Sequence, residues 1–381
     1  MILRNFQIKN KKYEQKNLIN LLKKINKLNS PDFIKSFKSQ YKYSYKKKIL
    51  NKYKNHNFIN IIGMGGSSLG VKAIYNFLIN KIKKKVTFQD NLDLKKENKN
   101  KSLNIIISKS GNTLETIVNL NSKIKKNKNI FITENTNNYL RKLANKLKSD
   151  VIDHKNFIGG RFSVLSEVGM LPAQLMGLNE RKFKQFNNLI IKPKFLKDLT
   201  NNVSSMYKLI KMKKFNSVIL NYDYKSDDFF KWYQQLVSES LGKKSKGILP
   251  VISTMPKDNH SILQLYLSGF NSNFYTFFIA EDRNNIKLNS KYLLNDFKFL
   301  KKKSLFEILN SQKIATENVF RVKKIPFRSF YIKKRDEKTL GELFCFFTLE
   351  VILLSHLLKV DPLNQPEVEL VKKETFKILK K

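Results

Sequence analysis

The chain has 381 residues, 41% of them apolar, which suits one large or two medium domains with real cores and excludes a disordered chain. Lys and Arg number 74 against 30 Asp and Glu, a formal charge of +44. The lysines are spread from Lys9 to Lys381 and arginine is scarce, so the charge reads as a lysine-rich composition over every exposed face and not as a dedicated nucleic-acid reader.

Met1 to Asn10 lacks the apolar stretch of a signal peptide. Leu343 to Leu358 is the longest apolar run. Glu350 and His356 interrupt it, and it falls short of the ~20 residues a membrane span needs, so a buried core helix is expected and no membrane partner. Cys345 lies inside that run as the single cysteine. It allows no intramolecular disulfide and no CxxC metal pair, and a buried inert thiol is expected. These features fit the cytoplasm.

Residues 1–55 read as helices, with Leu18, Leu21, Leu22 and Ile25 at helical spacing. Strands follow at Phe58 to Met64, Leu103 to Ser108, Asn129 to Thr133 and Val151 to Asp153. Helices alternate with them at Leu69 to Ile82, Thr113 to Ile124 and Tyr139 to Leu147. The polar stretch around Lys192 to Asn202 separates a second block. Its strands are Ser217 to Asn221, Gly247 to Ile252, Phe274 to Ala280 and Phe327 to Ile332. Its helices are Phe229 to Leu241 and Ser261 to Leu267, and the C-terminus is helical from Thr339 to His356 and from Gln365 onwards. Strand–helix alternation predicts an α/β fold of two three-layer α/β/α sandwiches with parallel sheets, plus helical N- and C-terminal segments. The expected divisions are 1–55, 56–195, 196–360 and 361–381.

Ligands in such sheets bind beyond the carboxyl ends of the strands. The first strand runs into Gly63-Met64-Gly65-Gly66-Ser67-Ser68-Leu69-Gly70, a loop where glycine permits close ligand approach or simply a tight turn. With Asp90 downstream it resembles a dinucleotide fingerprint, but Ser68 stands at the third glycine. The second strand runs into Ser108-Lys109-Ser110-Gly111-Asn112-Thr113-Leu114-Glu115-Thr116. Hydroxyls, a lysine and free amides at a helix start suit a phosphate. Asn112 and Glu115 also have capping-box spacing, which alone would not require the hydroxyls and Lys109.

Arg161 follows Gly159-Gly160, either aimed at one point or lying at a surface turn. Gln235 and Glu239 share one helical face, and Glu239 could equally be a solvated partner of Lys243. His260 precedes a helix carrying Gln264, whereas His56, His154 and His356 read as structural. Gln365, Glu369 and Lys372 fall on one face of a terminal helix.

In this order the six segments resemble the phosphoglucose isomerase family from about Phe58 to Lys372. Gly-Gly-Arg-Phe-Ser, Glu-Ser-Leu-Gly-Lys and Asn-His-Ser-x-x-Gln carry most of the resemblance. It implies two sugar-isomerase (SIS) domains, at 56–195 with the phosphate cradle and at 196–360. It implies reversible exchange of glucose 6-phosphate and fructose 6-phosphate through a cis-enediol, without metal or other cofactor. Glu239 would shuttle the proton between C2 and C1, and Arg161 would stabilise the enediolate. His260 would open the ring with Lys372 at the ring oxygen. Ser108, Ser110 and Thr113 would cradle the phosphate, with Lys109 and Thr116 beside them. Gly65, Ser67, Gln235 and Gln365 would line the sugar. The family also implies a homodimer whose histidine arrives from the neighbouring subunit.

The chain departs from the family's usual Asp-Gln-x-Gly-Val-Glu-x-Gly-Lys, with Asn364 for the aspartate and Glu367 and Val371 for the glycines. Both glycine replacements favour helix over loop. The alternatives are a related isomerase that also takes mannose 6-phosphate, and a non-catalytic SIS module that senses sugar phosphates.

Overall fold

The computed structural model describes residues 1–8, 10, 12–92, 102–124, 128–281 and 287–381. The chain opens with a short strand, β1 (Ile2–Arg4), before the helix Lys12–Leu28. The first sheet follows: β2 (Phe58–Ile62), β3 (Lys85–Gln89), β4 (Leu103–Ile107), β5 (Lys128–Thr133) and β6 (Asp150–Asp153). Its order is β3-β2-β4-β5-β6 and every pair is parallel.

Alternation along these strands feeds two layers. Ile61, Ile105, Ile107, Ile130 and Ile132 enter the large core, where the helix Leu69–Phe77 packs. Ile62, Ile106 and Phe131 point the other way and meet Leu120, Leu140 and Ala144 of the outer helices.

The second sheet holds β7 (Asn216–Asn221), β8 (Leu249–Thr254), β9 (Asn273–Ala280) and β10 (Phe327–Ile332), in the order β1-β10-β9-β7-β8. These four are mutually parallel, and β1 adds an antiparallel edge to β10. The N-terminal segment is therefore not wholly helical: Ile2–Arg4 closes the edge of a sheet more than 300 residues away in sequence. Ile219, Phe278 and Phe330 face the large core, while Leu220, Phe277 and Ile279 face an outer cluster with Phe320.

Two helices depart from the expected pattern. The polar stretch after Lys192 is the start of a helix, Pro193–Lys211, whose buried face includes Thr200, Asn202, Ser204 and Ser205. The helix Leu305–Val322 covers the outer face of the second sheet while leaving Leu305, Ile314 and Val322 exposed, which blurs its apolar period.

The helix Glu337–Leu358 runs for 22 residues, so length alone would let it cross a membrane. It is instead the central core helix, with 83% of its most apolar window buried. Cys345 is fully buried within it, and burial pushes its thiol pKa up.

His154 sits at the end of β6, 4% exposed, its Nδ1 3.1 Å from the Lys155 carbonyl oxygen. Burial holds its pKa at about 4, below the ordinary 6.5. Between those values the unfolded chain binds more protons, so stability is full above about 6.5 and falls as pH drops toward 4, by up to about 3 kcal/mol. Replacing His154 by Gln should flatten that acid-side loss in thermal melts. Equal losses in the two proteins would remove His154 as the cause.

Candidate active site

Neighbouring loops leave the C-terminal edge of the first sheet at β2 and β4. Their crossover helices pass to opposite faces, so the crevice between them is the topological switch point of the sheet. Gly65, just after β2, has a φ of +53°, and a Cβ there would lie 2.9 Å from Gln235 Nε2. A Cβ on Gly66 would lie 2.2 Å from the carbonyl carbon of Gly160. Glycine at Gly65 leaves room for the Gln235 amide, and glycine at Gly66 lets the β2 loop touch the Gly159–Gly160 turn. Ser67, half-buried, closes the same loop against Gly63.

That contact seats Arg161. Its side chain is 2% exposed, and its carbonyl accepts the Trp232 indole N–H at 3.2 Å. Nε donates to Ser240 Oγ at 2.9 Å, and Nη1 donates to Glu239 Oε2 at 2.9 Å. Nη1 also donates to Gln365, and Nη2 to the carbonyls of Pro362 and Asn364, the latter at 3.2 Å. Burial lowers the guanidinium pKa, and the Glu239 charge opposes that shift.

The second carboxylate oxygen of Glu239 accepts from Gln235 Nε2 at 2.8 Å, one turn earlier on the helix Asp227–Leu241. Glu239 is thus not a solvated partner of Lys243, whose Nζ donates to the carbonyls of Ser240, at 3.2 Å, and Asp361. Nor is Arg161 a surface arginine. A cavity of about 800 Å³ opens beside Glu239, bounded by Ser238, Lys243, Asp361, Gln365 and Glu367 among others. The Glu239 side chain is 25% exposed, open enough to meet a ligand.

The loop after β4 forms a separate hydroxyl cluster. Ser108 Oγ lies 2.8 Å from Thr113 Oγ1 and accepts from Gly111 N at 3.2 Å. Ser110 is exposed, and its Oγ accepts from Asn112 N at 3.3 Å. Lys109 donates to the Asn156 carbonyl at 2.7 Å and lies 3.6 Å from Glu134. Thr116 is fully buried, and among the described residues its hydroxyl has no partner, so it does not open onto the cluster. The capping box of Asn112 and Glu115 does not form: Asn112 Oδ1 accepts instead from Tyr139 N, at 3.0 Å. Asp90 is held by Lys72 at 2.9 Å, an ion pair that occupies the carboxylate a dinucleotide reading would need.

Two expected residues stand apart. His260 is exposed on the turn Lys257–His260 after β8 and does not line the cavity. Lys372 lies on the helix Pro366–Leu379, exposed and paired with Glu369 at 2.7 Å. This single chain does not bring Lys372 to Glu239. Val368, one turn earlier on the same face, does line the cavity. Helix begins at once after Gln365, as Glu367 and Val371 in place of glycine predict. Sequence reasoning missed Ser240 and the carbonyls of Pro362 and Asn364 as partners of Arg161. Ser240 adjoins Glu239 and was within reach; the carbonyls leave no trace in residue type.

A family model described as "Phosphoglucose isomerase" matches residues 4–381. A glucose-6-phosphate isomerase from Methanocaldococcus jannaschii is 34% identical over 367 residues, covering 88% of this chain and 86% of that protein. One from Mycoplasmopsis pulmonis is 31% identical over 358 residues, covering 84% and 82%. Among solved structures, a hypothetical protein from Thermus thermophilus superposes with a TM-score of 0.81 at 22% identity, covering 96% of this chain and 94% of that one. A glucose-6-phosphate isomerase from Chlamydia trachomatis gives 0.70 at 18%, covering 87% and 71%. The structural likenesses speak for the fold, and the family match with the identities over most of the chain decides the kinship: this protein belongs to the phosphoglucose isomerase family.

Proposed function

We propose that this protein interconverts glucose 6-phosphate and fructose 6-phosphate, with Glu239 carrying one proton between C2 and C1 through a cis-enediol. The observation that supports this most is the fixing of both Glu239 oxygens, by Arg161 at 2.9 Å and Gln235 at 2.8 Å, on the wall of a cavity. One carboxylate can reach both adjacent carbons and return the proton it removed. Charge develops on the enediolate oxygens, and Arg161 offers a fixed cation for it. Gln365 and Gln235 suit the sugar hydroxyls.

The hydroxyls of Ser108, Ser110 and Thr113, with Lys109 beside them, suit the phosphate. That group is remote from the reacting carbons, so its binding energy serves to position them. His260 and Lys372 are the proposed ring-opening pair. The exposure of His260 on its own subunit is compatible with delivery across a homodimer. Lys372 would exchange its Glu369 partner for the ring oxygen.

A coupled assay on purified protein should show turnover of fructose 6-phosphate to glucose 6-phosphate. Ser110→Ala with Thr113→Ala should raise KM by about tenfold or more while changing kcat little, since the hydroxyls bind a group that does not react. No turnover by the parent protein would overturn the function, and an unchanged KM would move the phosphate elsewhere.

A further inference from the structure

A second groove lies on the second sheet, beside the starts of β7, β9 and β10. One half is a cavity of about 710 Å³. Of its 13 lining residues, five are cationic: Lys208, Lys214, Arg321, Lys323 and Lys324. None is Asp or Glu. The chain as a whole is about one-fifth Lys and Arg. The cavity beside Glu239 differs, mixing Glu239, Asp361 and Glu367 with its lysines. Lys214 is 6% exposed and donates to both oxygens of Asn271, the backbone one at 2.9 Å. Burial holds its pKa below the ordinary lysine value.

The other half is a cavity of about 380 Å³ that shares Asn271, Lys323 and Ile325 with the first. Tyr266, Phe270 and Tyr275 line it, and Phe270 is 57% exposed. Arg321 lies over the Phe327 ring, 5.5 Å from its centroid, within the cationic half, and its Nη2 also lies 3.4 Å from Glu317, just outside the lining. Tyr266 and Tyr275 are buried, so Phe270 is the open ring, and positive charge leading to it suits a ligand with two unlike ends: several phosphate charges and a flat ring. A sugar monophosphate uses neither the number of cations nor the exposed ring.

We propose that this groove binds a nucleoside di- or triphosphate, with its phosphates among Lys214, Arg321, Lys323 and Lys324 and its base against Phe270. Among the described residues it shares no lining residue with the cavity of Glu239, so it is a site apart from the proposed isomerase centre.

The test is calorimetric titration of the full-length protein with ADP at physiological salt, with and without saturating glucose 6-phosphate. One ADP should bind per chain, equally in both conditions. Pyrophosphate and adenosine should each bind at least about tenfold more weakly, because each supplies one end only. Lys323→Glu with Lys324→Glu should weaken ADP by about tenfold or more and leave kcat/KM unchanged. Lys142→Glu with Lys146→Glu, exposed on the helix Tyr139–Lys146, makes the same charge change elsewhere and should leave ADP binding as it was. The proposal is overturned by absent ADP binding, by loss of binding when glucose 6-phosphate is added, or by pyrophosphate binding as tightly. Equal weakening in the two charge variants overturns it as well, as does a short oligodeoxythymidylate binding more tightly than ADP.

Discussion

Glu239→Gln should lower kcat by about 10³-fold and leave KM close to that of the parent protein. Glutamine keeps the length and one carbonyl oxygen of the side chain. It can still accept from Arg161 Nη1, which now donates to Oε2 at 2.9 Å. What it lacks is the basicity to take a proton from carbon. The cavity, the Ser108–Thr113 hydroxyls and Gln365 are untouched, so binding should persist. A variant with near-parental turnover would show that another group is the base. A variant that fails to bind substrate would show that Glu239 holds the ligand and does not act on it.

The largest stability effect should come from a residue that touches no substrate. Arg328 and Glu350 are both wholly buried and form an ion pair. Arg328 also donates to Thr276 Oγ1 at 2.9 Å and Asn202 Oδ1 at 2.7 Å, and its guanidinium lies 5.2 Å from the Phe330 ring centroid. Glu350 Oε1 accepts from the Tyr233 hydroxyl at 2.6 Å. Tyr233 belongs to the helix Asp227–Leu241, the one that carries Gln235 and Glu239. The network therefore ties β9, β10 and two core helices to the helix of the proposed base.

Glu350→Leu should cost about 3–5 kcal/mol, because it strands the Arg328 charge in the core. Arg328→Met together with Glu350→Leu should recover most of that loss, since no charge is left unpaired. Calorimetric melting checks both. A single variant that melts with the parent protein would show that the pair is not needed. A double variant no better than the single one would show that packing at Glu350 and the polar partners Thr276, Asn202 and Tyr233, and not the stranded charge, set the cost.

This network also marks where sequence reading stops. Parallel strands such as Leu103–Ile107 are legible because every residue is buried and all but Asn104 are apolar, and the glycine loops that end them announce themselves. The helix Pro193–Lys211 was not, because Asn202, Ser204 and Ser205 sit on its buried face and read as polar surface. Asn202 is there to bond Arg328, a partner 126 residues away. The strand Ile2–Arg4 is three residues long and gains its place only by pairing with β10.

The site divides in the same way. Arg161, Gln235, Glu239 and Gln365 were legible from residue type and order, and the fold brings all four together. Lys372 was legible as a residue but not as a position, because Glu367 and Val371 build a helix whose own Glu369 takes the lysine. Glu239 itself is ambiguous in sequence, since Lys243 stands one turn away. The chain resolves this by sending Lys243 to the carbonyls of Ser240 and Asp361.

The most direct test of the proton shuttle is to run the reaction from fructose 6-phosphate in D₂O and read C2 of the glucose 6-phosphate product by NMR. A carboxylate that holds the proton between steps exchanges it in part with solvent, so a fraction of the product should carry deuterium at C2, and Glu239→Gln should form almost none of that product. Product formed by the parent protein with no deuterium at C2 would contradict the account.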